Sequence, residues 1–459
     1  MPSDPTAAGP PVEDPAAASA ADPFAPLRTR PYAVLLVLAG FAGVVVSAGA
    51  YGFLQAVDHL QTALYQDLPT GLGFHRTPEW WPFVLLAPSG VLVALTVRYL
   101  PGNGGHQPAE GLNTKGAAPA AELPGILLAA LASLAFGAVI GPEAPLIALG
   151  GGLARYGFRL LRPDAPATTQ AVVAAAGSFA AISALLGSPL LGAFLLMEAS
   201  GLGGPTLGVV LLPGLLAAGI GSLIFTGLGS WAGVGSGTLT IPSLPPVGRP
   251  DIAQFGWALV IGLAAAFAGT GVLRLARHLQ PRVNRRRLWW TPVMGTVVAG
   301  LAVAYAEGTG KQTADVLFSG QSALPGLLIH HAGYSAGTLT LLVVCKALAY
   351  AVSLSAFRGG PIFPAMFVGA AGGIALSHLP GLPYVAGAAV GMGAMSVAVL
   401  RLPMTSVLLA TLLLGHDGVT VMPLVIVAVV VSHVTAARLA PAPEHARSGA
   451  GAAGSPAGA

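Results

Sequence analysis

Charge is what this chain has least of: Asp, Glu, Lys and Arg make up 8% of its 459 residues, against about 25% in soluble domains. So few charges cannot cover a water-facing surface of that size, which excludes an ordinary soluble fold. Cysteine is nearly absent as well. Cys345 stands alone in an apolar run, so no intramolecular disulfide is possible and the redox compartment cannot be read from it. No cluster of Cys, His and carboxylates offers a metal site, and no cofactor is expected. No Ser–His pair, Asp pair or metal-binding motif lies on an apolar run, so an intramembrane hydrolase is not expected and the chain is read as no enzyme. The formal charge of +4 is too small to imply a nucleic-acid partner.

What is present suits lipid. Apolar residues are 54% of the chain and mean hydropathy is +0.76, the composition of an all-α polytopic membrane protein. Apolar runs fall at about 31–57, 83–100, 123–140, 143–161, 168–186, 188–200, 205–228, 252–278, 289–306, 335–356, 361–377, 383–399, 402–415 and 419–440. Several are shorter than the roughly 20 residues a spanning helix needs. They abut one another through Gly-Pro or Gly-Ser-Pro breaks, the pattern of half-helices meeting inside a membrane. Residues 1–30 and 441–459 read as disordered tails flanking one transmembrane domain, 31–440. The stretches 229–250 and 279–288 read as polar loops. Arg28 and Arg30 before the first run, and the basic stretch Pro281 to Arg287, place those segments in the cytoplasm. Both termini are then cytoplasmic, and the expected location is a plasma (inner) membrane. Trp80, Trp81, Trp289 and Trp290 read as interfacial belts.

Two landmarks recur. Gly141-Pro142-Glu143-Ala144-Pro145 opens one apolar run and Gly359-Gly360-Pro361-Ile362-Phe363-Pro364 opens another, with Gly141 and Gly360 separated by 219 positions (360 − 141). Ser188-Pro189-Leu190-Leu191 is echoed by Leu402-Pro403-Met404-Thr405, 214 positions on (403 − 189). Nearly equal offsets predict two related halves, about 31–230 and 250–440, and broken helices at matching positions point to a transport site. A broken helix presents unpaired N–H groups and a positive dipole end, which bind an anion weakly enough to let it leave. Three such N-termini are expected: Gly102-Asn103-Gly104-Gly105-His106, the Gly141 segment and the Gly359 segment. Glu143 is the sharpest residue. It is an ionisable group between Ile140 and a long apolar run, able to occupy an anion's place and to leave it on protonation. Glu198 ends another apolar run and is the candidate for a proton route. Lys346 sits in a further apolar run and is expected to snorkel or pair. His106 lies in the first break and can titrate near neutral pH.

These breaks together resemble the CLC family of chloride channels and proton-coupled chloride exchangers, over about residues 30 to 440. Gly141 to Pro145 is similar to the family's Gly-Arg-Glu-Gly-Pro motif, and Gly102 to His106 to Gly-Ser-Gly-Ile-Pro. Gly360 to Pro364 is similar to Gly-x-Phe-x-Pro, and Arg401 to Thr405 to Arg-Ala-Pro-Leu-Thr. The resemblance implies an inverted repeat of tilted and broken helices, and a homodimer with one pore per subunit. It assigns the gate to Glu143 and anion binding to Asn103, Gly104, Gly141, Ala144, Gly360, Ile362 and Phe363. The departures are specific. Asn103 stands at the chloride-binding serine, Pro142 and Pro361 each remove a backbone donor, and Ala199 stands at the exchangers' internal glutamate, one residue after Glu198. No tyrosine follows Tyr384 to match the family's central-site tyrosine. Passive passage of chloride or a similar small anion is therefore expected. A chloride/proton antiporter is the alternative, as is a fluoride- or nitrate-selective carrier.

Overall fold

The computed structural model describes residues 25–111, 117–201, 205–231, 245 and 248–440, and the secondary-structure elements among them are helices. Residues 1–24 of the expected tail at 1–30, the expected tail at 441–459, and most of the expected loop at 229–250, lie outside them. Residues 25–30 are ordered: a short turn over Ala25–Arg28 leads into α1 (Arg30–Thr62). A π-turn and α2 (Leu68–Gly71) follow, then α3 (Trp81–Tyr99), α4 (Leu123–Leu134), α5 (Glu143–Leu161), α6 (Ala167–Leu186), α7 (Pro189–Ser200) and α8 (Pro205–Trp231). The second half holds α9 (Ile252–Arg285), α10 (Arg287–Thr309), α11 (Ala323–Ile329), α12 (Ala336–Ala356), α13 (Ile362–Leu376), α14 (Tyr384–Leu400), α15 (Pro403–Leu413) and α16 (His416–Leu439). Among the described residues eight helices are long and apolar enough to cross a bilayer. The shorter ones, α4, α7, α13, α14 and α15, fall between the breaks that the sequence marks.

The helix starts follow from local chemistry. Ser188, Asp251 and Ser335 each turn a side-chain oxygen onto a backbone N–H of the first turn, of Leu191 (3.3 Å), Gln254 (2.8 Å) and Thr338 (3.1 Å). The expected loop at 279–288 is instead the end of α9 and the start of α10, interrupted only at Arg286 (φ −138°). Arg and Asn in that stretch are compatible with a helix that projects beyond the apolar layer, and polarity alone does not end one. The expected helix N-terminus at Gly102–His106 is also absent. Gly102, Asn103, Gly104 and Gly105 all have positive φ (84°, 51°, 67° and 86°), a left-handed run that cannot enter an α-helix.

Two tight crossings repeat with the sequence landmarks. Helices α5 and α6 touch backbone to backbone at Gly150 and Gly177, where a methyl on Gly150 would lie 2.5 Å from the Gly177 carbonyl oxygen. Helices α13 and α14 do the same at Gly369 and Gly391, and one turn on at Gly373 and Gly387. Gly150 and Gly369 are 219 positions apart (369 − 150), and Gly177 and Gly391 are 214 apart (391 − 177). The two halves therefore carry the same helix pair. Small residues are the means of close helix approach in lipid, where water drives no packing.

Gly373→Ala should destabilise the fold by about 1–3 kcal/mol, because a Cβ there overlaps the Gly387 carbonyl and the helices must part. Gly372→Ala is the control, since its nearest neighbour is a Val343 methyl 4.0 Å away. Thermal melts of the two variants in the same detergent check this: only Gly373→Ala should melt well below wild type.

Candidate anion site at the junction of two half-helices

Helices α5 and α13 begin at one point and leave in opposite directions. Helix α5 runs toward the face carrying Arg155, Arg159 and the arginines that end α9. Helix α13 runs toward Pro380, whose carbonyl accepts from Trp257 Nε1 (3.1 Å) near the other end of α9. Where they meet, Gly141 and Gly360 exchange two backbone hydrogen bonds, Gly141 N to Gly360 O at 2.7 Å and Gly360 N to Gly141 O at 2.6 Å. These are the two landmark glycines of the repeat, so the pseudo-twofold axis passes between them. A second reciprocal pair flanks the first. Val139 N donates to Ser353 Oγ at 3.0 Å, and Arg358 N donates to Ser133 Oγ at 3.1 Å. Each half's incoming loop is thus held by a serine of the other half.

Glu143 is wholly buried as the first residue of α5. Its Oε1 accepts from the backbone N–H of Phe363, in the first turn of α13, at 2.9 Å. Its Oε2 is buried and has no hydrogen-bond partner among the described residues. The carboxylate presses on Gly141 and Gly360 so closely that a Cβ on either would overlap it, which is why both positions need glycine. A carboxylate of one half therefore sits on the positive end of a helix of the other. Tyr350, fully buried on α12, fixes that helix end by donating to the Pro361 carbonyl (2.6 Å).

The structure brings Glu143, Gly141, Ala144, Gly360, Ile362 and Phe363 together at this junction. Beside them, toward the basic face, lies a cavity of about 350 Å³ whose wall includes Gly104, His106, Ala144, Arg358 and Gly359. Asn103 departs from expectation. Its side chain is exposed and does not line the cavity; its carbonyl is what turns inward, toward the Arg358 guanidinium. The left-handed run at 102–105 sets this, because it turns the carbonyl in and the amide out.

Glu198 stands apart from this group. It leaves α7 to cap α15, taking the N–H groups of Met404 (3.0 Å) and Thr405 (2.8 Å) and the Thr405 hydroxyl (2.7 Å). Lys346 does not snorkel, and among the described residues no carboxylate lies within ion-pair distance of it. It is fully buried, donates to the carbonyls of Asp315, Val316 and Leu317 (2.9, 3.0 and 3.0 Å), and lies over the Phe367 ring. Trp81 is buried, with Nε1 on the Leu64 carbonyl, whereas Trp80, Trp289 and Trp290 are exposed.

Sequence reasoning passed over Arg358. The signal was available: an arginine between apolar segments is subject to the same rule that singled out Glu143 and Lys346. It also passed over Tyr350, Ser133 and Ser353. Nothing local distinguishes these from other hydroxyls on apolar helices.

Glu198→Ala should cost about 1–2 kcal/mol, the loss of a helix cap. Glu198→Gln, which retains one acceptor oxygen, should recover part of it. Detergent melts of the two variants check this, and equal stability of Glu198→Ala and wild type would remove the capping role.

Comparison with known proteins agrees with this geometry. Residues 83–437 match the family model described as voltage gated chloride channel. A relative from Salmonella choleraesuis (strain SC-B67), named "Putative ion-transport protein YfeO", is 31% identical over 360 residues, 78% of this chain and 84% of its own. The relative of the same name from Salmonella paratyphi A is 30% identical over the same length. Among solved structures, a slow cyanobacterial Cl−/H+ antiporter superposes with a TM-score of 0.73 at 20% identity, covering 90% of this chain and 96% of its own. A CLC-type fluoride/proton antiporter superposes with a TM-score of 0.68 at 18% identity, covering 88% and 95%. A family model matched over most of the chain, a fold shared along nearly all of it, and two half-helices meeting over a buried glutamate lead to one conclusion: this chain belongs to the CLC family of voltage-gated chloride channels.

Proposed function

We propose that the protein passes chloride or a similar small anion across a bilayer, passively, with Glu143 as the gate. The observation that carries this reading is the Glu143 carboxylate on the Phe363 N–H, at the positive end of α13. That is where a permeating anion would sit, and the carboxylate occupies it in the anion's place. Protonation removes the charge that suits the site, and an anion then competes for the same donors. Partial charges on N–H groups bind it without trapping it. The reading is transport and not catalysis.

Passive conduction is favoured by what surrounds Glu198. A proton crossing the membrane interior needs a titratable group that can accept and release it. Glu198 is committed to capping α15, and its neighbour Ala199 has no proton to exchange. Proton-coupled exchange is the second reading, because two of the solved structures similar in fold are described as antiporters, one for chloride and one for fluoride. In either case we place the arginine-rich face in the cytoplasm of a plasma (inner) membrane by the positive-inside rule. The working unit is read as a homodimer with one pathway per subunit.

Glu143→Gln should leave anion flux in proteoliposomes constitutive and independent of pH, while wild-type flux rises as pH falls. Flux in the variant that stays as pH-sensitive as wild type would remove Glu143 from the gate. A chloride gradient imposed on wild-type vesicles at a clamped potential should move no protons. Sustained uphill proton movement at a fixed ratio to chloride would establish the exchanger instead.

A further inference from the structure

Gly157 is a glycine in the interior of α5 that close packing does not explain. At Gly150 and Gly152, earlier on the same helix, an added Cβ would strike the Gly177 carbonyl or the Leu123 side chain, but at Gly157 it would meet nothing within 4 Å. A helical glycine that serves neither close approach nor a turn weakens its helix, and here the missing side chain leaves a groove open. The groove runs between α1, α5 and α6 and has a volume of about 240 Å³. Every residue lining it is apolar, among them Phe41 and Val45 of α1, Leu153 and Gly157 of α5 and Val173 of α6. Phe41 and Val45 are exposed, so the groove opens on the surface that these helices turn to the bilayer. A second cavity, of about 590 Å³, adjoins it at Leu160, which lines both. The wall of the second carries Arg155, Tyr156 and Arg159. The two arginines are four positions apart near the end of α5, so they share a face of the helix. Arg155 is half-buried and Arg159 exposed, and neither makes a hydrogen bond or ion pair among the described residues.

We propose that the two cavities together hold one anionic phospholipid, with an acyl chain in the apolar groove and its phosphate on Arg155 and Arg159. This goes beyond ion passage and does not depend on it. Lipid tails cover any apolar surface in a membrane, so the groove by itself selects nothing. The arginines supply the selection. A phosphodiester offers its oxygens to guanidinium forks. An anionic headgroup brings no cation of its own, whereas a zwitterionic one carries an ammonium that competes with the arginines for the phosphate. Basic pockets between helices at the cytoplasmic surface of a membrane recognise anionic headgroups by this means. The size agrees as well. A groove of about 240 Å³ is roughly eight times the 30 Å³ share of one water molecule, and a methylene is of similar bulk, so it takes roughly eight methylenes of a chain. The lipid so held ties α1 to the end of α5 opposite Glu143.

The test is native mass spectrometry of the full chain, purified in a nonionic detergent and titrated with phosphatidylglycerol or with phosphatidylcholine of the same acyl chains. Wild type should retain one phosphatidylglycerol per chain about tenfold more tightly than phosphatidylcholine, the expected worth of one additional charge-assisted contact. Arg155→Gln combined with Arg159→Gln should bring the two lipids to within about twofold of each other. Gly157→Leu keeps both arginines and fills the groove, with open space for its Cβ. It should lose the retained lipid of either kind while melting no lower than wild type, because leucine is the better helix former. Equal affinity for the two lipids in wild type would overturn the proposal, and so would a preference for phosphatidylglycerol that survives loss of both arginines. Retention by Gly157→Leu as tight as by wild type would remove the acyl chain from the groove and overturn it too. No lipid retained by wild type would mean that another occupant, such as a second copy of this chain, covers the groove, which also refutes it.

Discussion

The rest of the structure depends on the reciprocal contact between Gly141 and Gly360. In the interior of a membrane protein, a backbone that leaves the helix must find other partners for its N–H and C=O groups, because no bulk water is there to take them. Here two broken helices supply each other. Gly141 and Gly360 pair both ways, and the loops before them are held by Ser353 and Ser133, each from the opposite half. Only an inverted repeat can satisfy two breaks so economically, since the same bond serves both copies. Once it forms, α5 and α13 must point apart, and their positive ends converge on the space that Glu143 fills. The glycine crossings of α5 with α6 and of α13 with α14 then hold each half-helix against its neighbour.

Three buried charges near this junction are handled in three ways. Glu143 is stabilised by a helix end and keeps one oxygen unpaired, a state that can be exchanged for another. Lys346 spends its three donors on three consecutive carbonyls and an aromatic face. Those carbonyls belong to the segment before Phe318, whose N–H in turn holds the Gly137 carbonyl at 3.2 Å in the loop leading to Glu143. Lys346 therefore braces, from a distance, the loop that leads to Glu143. Arg358 is the least satisfied of the three, with long contacts at the wall of a cavity. A buried charge costs several kcal/mol unless something offsets it, and the three groups differ in how closely their donors and acceptors are met.

Much of this was legible in the residues. The low charge, long apolar runs and Gly-Pro breaks gave the class of protein and most helix limits within a few positions, because the bilayer imposes length and polarity on each segment separately. The nearly equal offsets of the two landmark pairs, 219 and 214 positions, announced two halves, and Glu143 was conspicuous as an acid in an apolar setting. The errors share a cause. Gly102 to His106 reads as a helix start because it is a Gly-rich break between apolar runs, but its glycines serve a left-handed turn. Pro281 to Arg287 was read as a loop because it is polar, yet it ends one helix and starts another.

Composition and periodicity, acting on each segment alone, determined that this chain lies in a membrane, where its helices break, and which acid is out of place. Which residues face one another was decided only in three dimensions. Glu198 became a cap because α15 happens to start beside it. Asn103 turned its carbonyl inward because four residues in a row adopt positive φ. Arg358 came to line a cavity that α5, the 102–106 turn and its own loop enclose together. Partners separated by more than two hundred positions, such as Ser133 and Arg358 or Glu198 and Thr405, leave no local trace, because the energy of such a bond depends on a geometry that neither segment possesses by itself.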